Sequence, residues 1–249
     1  MVLLGLGQGV GLACARKFAE AKWSVMIVDG DQKTLDRAEK DLGELSCYLH
    51  EDQYTPLGLK NALSGTLEQY DGVDVVINVP PLPEDAELQD LTVERLNALY
   101  KKGAMSFLLA AKTFSAEMIR EIIWAEEQVE RVVHPKSFLS ILSRAAIATD
   151  HGKLFTSAAQ GAVLAAVKAL ALELSPNGIR SNALISVRPR TEKTEPWLPQ
   201  RTPLGRSARP PEIAETAYFL SSAHAGYITG QGIEMDGGRG VLNGVLPNA

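Results

Sequence analysis

Cysteine is scarce in this chain: of 249 residues, only Cys14 and Cys47 carry a thiol. Two cysteines cannot staple a chain of this length, so a disulfide scaffold is excluded and two free, buried thiols are expected. The histidines, His50, His134, His151 and His224, lie far apart and share no metal-ligand spacing with the cysteines. No metal centre is expected from them. No run of eighteen apolar residues occurs, so no membrane span is expected. The first residues lack a basic segment followed by an apolar stretch, so no signal peptide is read and a cytoplasmic protein is expected. Basic charge is not in excess either. The 25 Lys and Arg face 30 Asp and Glu, a net charge of −5, which argues against nucleic acid as a partner.

What is present is a globular composition, 45% hydrophobic and 22% charged, well away from the disordered class. Short β-branched runs alternate with longer helical patterns, as in a parallel sheet with crossover helices. Strands are expected at Met1–Leu4, Ser24–Val28, Leu45–Leu49, Val73–Asn78, within 131–143, at Arg180–Ile185 and at Gly232–Met235. Helices are expected at Leu12–Lys22, Gln32–Leu42, Leu57–Tyr70, one or two within Val93–Gln128, Ser157–Ser175 and Pro211–Ser222. Ser186–Ala208, rich in Pro, Arg and Thr, reads as a loop or lid. No repeat or linker interrupts the pattern. The reading is one doubly wound, Rossmann-like α/β domain with a mostly parallel sheet. Its nucleotide-binding half spans about 1–130 and its substrate and interface half about 131–249. Ser157–Ser175 is apolar nearly all round, as a helix buried on more than one side is. It implies a subunit contact or thick packing within the chain.

Gly5-Leu6-Gly7-Gln8-Gly9-Val10-Gly11 joins the first strand to the first helix. Glycines there allow a tight turn and let backbone N–H groups approach a pyrophosphate, while the helix N-terminus adds partial positive charge. Asp29 closes the second strand, where a carboxylate can accept the hydroxyls of an adenosine ribose.

On these residues the whole chain resembles the short-chain dehydrogenase/reductase family. Gly5, Gly9 and Gly11 match its cofactor loop and Asp29 its NAD-selecting acid. Asp52 falls where the family has an Asp that touches adenine. Asp74–Asn78 resembles the strand that leads into the family's Asn-Asn-Ala-Gly, with Asn78 kept. The stretches Ala169–Asn182, Pro203–Arg206, Glu212–Ala214, Phe219–Ser221 and Thr229–Gly238 match its C-terminal third. Thr191 aligns with a contact to the carboxamide end of the cofactor. The resemblance implies NAD as cofactor, a small-molecule ligand, and a homodimer or homotetramer built on Gly103–Met118 and Ser157–Ser175.

The departures fall on one side of that implied site. Of the family's catalytic residues Ser143 is kept. Thr156 stands where the catalytic Tyr belongs and Gln160 where its Lys belongs. None of the six tyrosines is followed by Lys four residues later. Tyr100 replaces an Asn, Val79-Pro80-Pro81 replaces Asn-Ala-Gly, and Ser186-Val187 replaces Pro-Gly. In the family mechanism the Tyr moves the proton and the Lys lowers its pKa. Thr156 and Gln160 can do neither. The expected function is NAD(H) binding with weak or absent oxidoreductase activity. One alternative is an active enzyme with a rewired donor built from Ser143, Tyr100 and Lys153. Another is non-redox chemistry, such as the halide removal known on this fold, or a scaffold role. The cluster Arg188, Arg190, Lys193, Arg201, Arg206 and Arg209 reads as a solvated basic loop or as a site for an anionic ligand.

Overall fold

A computed structural model describes residues 1–7, 9–82, 87–127, 134–186 and 198–244. The strands are β1 (Val2–Leu4), β2 (Met26–Asp29), β3 (Cys47–His50), β4 (Val75–Asn78), β5 (Ser137–Ser143), β6 (Arg180–Ser186) and β7 (Gly232–Met235). The helices are α1 (Val10–Glu20), α2 (Gln32–Leu42), α3 (Pro56–Tyr70), α4 (Val93–Tyr100), α5 (Ser106–Glu126), α6 (Leu154–Leu174), α7 (Leu198–Arg201) and α8 (Pro210–Ser221). The strands form one sheet in the order β3-β2-β1-β4-β5-β6-β7, every neighbouring pair parallel. Chain order reverses between β1 and β4. That is the switch point at which open α/β sheets leave a crevice beyond the strand C-termini.

Side chains alternate across each strand, so the sheet feeds two cores. Leu3, Ile27, Ile77, Ile141 and Leu184 face one side, where Phe18 of α1, Leu35 of α2 and Leu220 of α8 cover them. Val2, Met26, Val28, Val76, Phe138 and Leu142 face the other, under Leu59 of α3, Phe107 and Phe114 of α5, and Val163 and Val167 of α6. By length and composition alone 154–177 is apolar enough to cross a membrane. In the fold, α6 lays one face of that stretch on the second core.

The expected elements are all found, with boundaries moved for local reasons. The first helix begins at Val10 rather than Leu12, because Gly9 adopts a left-handed φ of 86° and caps it directly. The second strand runs on to include Asp29. The helical stretch expected within 93–128 is two helices separated by a π turn at Lys101–Met105. There Gly103 (φ −105°, ψ −109°) packs on Ala159 of α6, with the Ala159 carbonyl 3.3 Å from where a Cβ would stand. The sixth helix starts at Leu154, three residues before the expected Ser157. The fifth strand starts at Ser137, and residues 128–133 lie outside the described ones. Of the expected loop 186–208, Ser186 belongs to β6 and Leu198–Arg201 is a helical turn, while 187–197 lie outside the described residues. Cys14 is buried, which pushes its thiol up to about 12, and Cys47 is half-buried.

A charged cluster, invisible in local sequence, pins α5 to the sheet. Lys136 is 4% exposed. Its ammonium donates to the Val73 carbonyl at 2.9 Å, to the Asp74 carboxylate at 2.8 Å and to the Glu121 carboxylate. Glu121 also accepts the Val73 N–H at 2.8 Å. Lys136→Met would leave two carboxylates facing each other without a cation. Breaking a buried pair costs about 3–5 kcal/mol, and partial exposure of these carboxylates places this case near ~3 kcal/mol. For a chain of this size that is a Tm loss of roughly 6–12 °C. Thermal denaturation checks it, and a loss under about 2 °C would show the cluster to be energetically idle.

Candidate nucleotide and catalytic site

The C-terminal ends of β1, β2 and β4 converge at the switch point. Between β1 and α1, Gly5 and Gly9 hold left-handed φ values of 85° and 86°. A Cβ on Gly5 would stand 2.8 Å from the Val79 carbonyl, and one on Gly11 would stand 2.5 Å from the Leu6 carbonyl. Both glycines are therefore required for chain packing. Gly9 differs: a Cβ there would meet nothing within 4 Å. It opens on free space at the N-terminus of α1, whose first turn carries no acidic residue. Backbone N–H groups and the helix dipole make that space suitable for a phosphate. Gln8 lies outside the described residues.

Asp29 is locked in place. One carboxylate oxygen accepts the Leu6 N–H at 2.9 Å and the other accepts the Asp31 N–H at 2.9 Å. A carboxylate has about four lone-pair sites, so acceptor capacity remains for ribose hydroxyls. Asp52 is exposed, and its Oδ1 accepts the Tyr54 N–H at 3.0 Å. The next two residues were not singled out from sequence. Gln53 is 5% exposed. Its Nε2 lies 3.5 Å from where a Cβ on Gly5 would stand and its Oε1 3.6 Å from that of Gly30, so the amide bridges the ends of β1 and β2. Gln53 Oε1 is buried without a hydrogen-bond partner among the described residues. Burial, then the charge of Asp29, push the Tyr54 phenol up to about 12. No local signal marks a glutamine as buried; only the position directly after Asp52 pointed here.

On the other side of the switch point, Asn78 closes β4, is buried, and reaches the Ser140 hydroxyl at 3.5 Å. Ser143 closes β5 and its hydroxyl oxygen accepts the Ala145 N–H at 3.3 Å. Thr156 and Gln160 lie one turn apart on the buried face of α6. Gln160 is 1% exposed, and its Oε1 accepts the Ser143 backbone N–H at 2.5 Å. Its Nε2 has no partner among the described residues. The structure thus joins Gln160 to Ser143, with Thr156 on the same face. Tyr100 ends α4 with its ring 56% exposed and makes no hydrogen bond to any of the three. Lys153 caps α6, half-buried and engaged. Thr191 lies outside the described residues, as do Arg188, Arg190 and Lys193.

In the described part of the basic cluster each arginine meets a carboxylate. Arg201 meets Asp150 at 3.4 Å, and Asp150 also meets Arg239 at 3.3 Å. Arg206 and Arg209 both hold Glu212, at 2.8 and 3.1 Å. The Arg206 guanidinium first, then the backbone N–H and guanidinium of Arg209, keep the Glu212 carboxyl well below the usual carboxylate range. Among the described residues, no three His, Cys, Asp or Glu side chains converge as metal ligands would.

With this geometry in view, residues 5–239 match the family described as enoyl-(acyl carrier protein) reductase. Galactitol 2-dehydrogenase (L-tagatose-forming) of Cereibacter sphaeroides is 29% identical, covering 94% of this chain and 92% of its own. The 3-oxoacyl-[acyl-carrier-protein] reductase of Thermotoga maritima is 26% identical over 95% of this chain and 96% of its own. Among solved structures, 3-ketoacyl-(acyl-carrier-protein) reductase from Brucella melitensis, complexed with NADH, superposes with a TM-score of 0.83 at 24% identity, covering 96% of each chain. A short chain dehydrogenase from Bacillus anthracis superposes with a TM-score of 0.84 at 23% identity, over 100% of this chain and 97% of its own. The glycine loop, the acid after β2, the parallel sheet and these matches together mean that the chain belongs to the short-chain dehydrogenase/reductase family.

Proposed function

We propose that this protein holds NAD(H) mainly by the adenosine half and has little or no capacity for the family's hydride chemistry. Gly5, Gly9 and Gly11 with the start of α1 would hold the pyrophosphate, and Asp29 the adenosine ribose. A bound nicotinamide would supply the hydride. The observation that carries the second half of the reading is the Gln160 amide tied to the Ser143 N–H. An uncharged side chain used as a strand-end cap cannot lower the pKa of a neighbouring hydroxyl. Thr156, the group beside it, has no usefully acidic proton near neutral pH. The test pairs a calorimetric titration with NADH and an absorbance assay of NADH consumption on the same preparation. Binding without turnover supports the reading. No binding at millimolar NADH overturns its first half, and turnover overturns its second.

The reading includes self-association through α5 and α6. Leu108, Ile123 and Trp124 of α5 and Leu154 and Leu172 of α6 are exposed, Leu172 at 79%. Burying apolar area of this kind contributes about 25 cal/mol per Å². Light scattering at micromolar protein is expected to give a dimer or tetramer. Ala166→Arg on α6 should weaken it, and a monomeric wild type would refute this assembly.

A further inference from the structure

Beyond the nucleotide site, the domain has an open cleft of about 410 Å³ between α4, the π turn, α6 and the chain after β4. Pro81, Leu99, Phe155 and Ala159 give it apolar walls, and among the described residues its only charged lining residues are Arg95 and Lys102. This volume sits at the small end of pockets that hold small molecules, roughly 300–1,000 Å³. Of the eight lining residues among the described ones, six are apolar and none is acidic, in a chain whose net charge is −5.

The two cations are held in position without being neutralised. The Arg95 guanidinium lies over the Phe155 ring, 5.7 Å from its centre, and donates to the Asp90 carbonyl at 3.2 Å. That leaves other N–H groups of its fork for a ligand. Lys102 lies over the Tyr54 ring at 5.9 Å. Neither forms an ion pair among the described residues, in contrast to Arg201, Arg206 and Arg209, each of which meets a carboxylate. A ring contact orients a cation but leaves its charge uncompensated.

We propose that this cleft is a binding site for a small amphipathic carboxylate. The apolar body would lie against Leu99 and Phe155, and the carboxylate would meet Arg95 and Lys102. Charge complementarity selects the anion: an apolar body alone would not use two unpaired cations, and a charged-group hydrogen bond is about twice as strong as a neutral one. The cleft shares α6 with the candidate site, since Phe155 and Ala159 immediately precede Thr156 and Gln160.

The probes are 1-naphthoate and its neutral counterpart 1-naphthalenemethanol, titrated calorimetrically into the full-length wild type without nucleotide. Naphthoate is expected to bind at least ~10-fold tighter than the alcohol, the ratio a single charge-assisted contact of ~1.4 kcal/mol gives. Arg95→Ala with Lys102→Ala should erase that preference while leaving the alcohol unchanged. Ala98→Trp, on an exposed lining position, should displace both probes by filling the cleft. Unchanged thermal midpoints show that the variants are folded, and unchanged NADH titrations in them show that the nucleotide site is untouched. The proposal falls if naphthoate does not bind the wild type at millimolar concentration, if acid and alcohol bind alike, or if naphthoate affinity survives Ala98→Trp.

Discussion

The wild-type protein should consume NADH no faster than a blank when offered ketones, aldehydes or quinones at neutral pH. Positioned acid–base catalysis contributes typically 10²–10⁴-fold, and the two residues that would supply it are Thr156 and Gln160. Thr156→Tyr with Gln160→Lys returns a phenol and an ammonium to adjacent turns of α6 in the family's order. The double variant should therefore gain measurable turnover, though less than a full family site. Three features hold it back. Gln160 Oε1 now caps the Ser143 N–H, and a lysine has no acceptor, so that donor is orphaned at a cost of about 1–3 kcal/mol. Thr156 is 5% exposed, so a phenol there overpacks its surroundings, typically by about 1–3 kcal/mol. Pro80 and Pro81 still follow Asn78 in place of the family's small residues. A lowered thermal midpoint should accompany the gain. Robust wild-type turnover that Ser143→Ala abolishes would mean that the donor has been rewired rather than lost. Abolition by Tyr100→Phe would mean the same, and turnover insensitive to both changes would mark a contaminant.

The parts of this molecule that could be read in the sequence are those set by local chemistry. Gln32–Leu42 begins after Asp31, whose carboxylate caps Lys33, and its three buried residues keep helical spacing. Its bounds follow from that pattern, as those of Gly232–Met235 follow from the alternation of one short edge strand. The glycine loop was legible because each glycine answers a backbone requirement that no other residue meets. What could not be read depends on residues distant in the chain. At the π turn Lys101–Met105, Gly103 packs against Ala159, fifty-six positions later. The Lys136 cluster joins residues from three elements. The sequence places Gln160 where the family resemblance implies a Lys, but its partner, the backbone of Ser143, is a tertiary fact. Of the basic loop, read as a solvated loop or an anion site, Arg201, Arg206 and Arg209 meet Asp150 and Glu212, distant carboxylates that sequence spacing does not reveal, while Arg188, Arg190 and Lys193 lie outside the described residues.

A second large effect is expected in the choice of dinucleotide: NADH should bind on the order of 10²–10³-fold tighter than NADPH. The two cofactors differ by a phosphate on the adenosine ribose, the group that Asp29 would hold under the proposed reading. Like charges about 4 Å apart repel by around 4 kcal/mol at an effective dielectric of 20 before salt screening, and each ~1.4 kcal/mol is tenfold in affinity. A flexible carboxylate could swing aside and reduce the penalty. This one cannot, because both of its oxygens are held by backbone N–H groups, of Leu6 and of Asp31. No cation immediately follows Asp29 either: Gly30, Asp31 and Gln32 come next, and Asp31 adds a further negative charge. Asp29→Asn separates charge from shape. The amide keeps one acceptor for Leu6 or Asp31 and removes the repulsion, so the NADPH-to-NADH affinity ratio should rise by at least ~10-fold, one step of ~1.4 kcal/mol. NADH itself should weaken, since a neutral acceptor binds ribose hydroxyls less strongly than a carboxylate. Calorimetry of both cofactors against both proteins at low and high salt decides the matter. Screening acts on the charge and not on the shape, so wild-type selectivity should narrow as salt is added. NADPH binding the wild type as tightly as NADH would remove Asp29 from the role of selector.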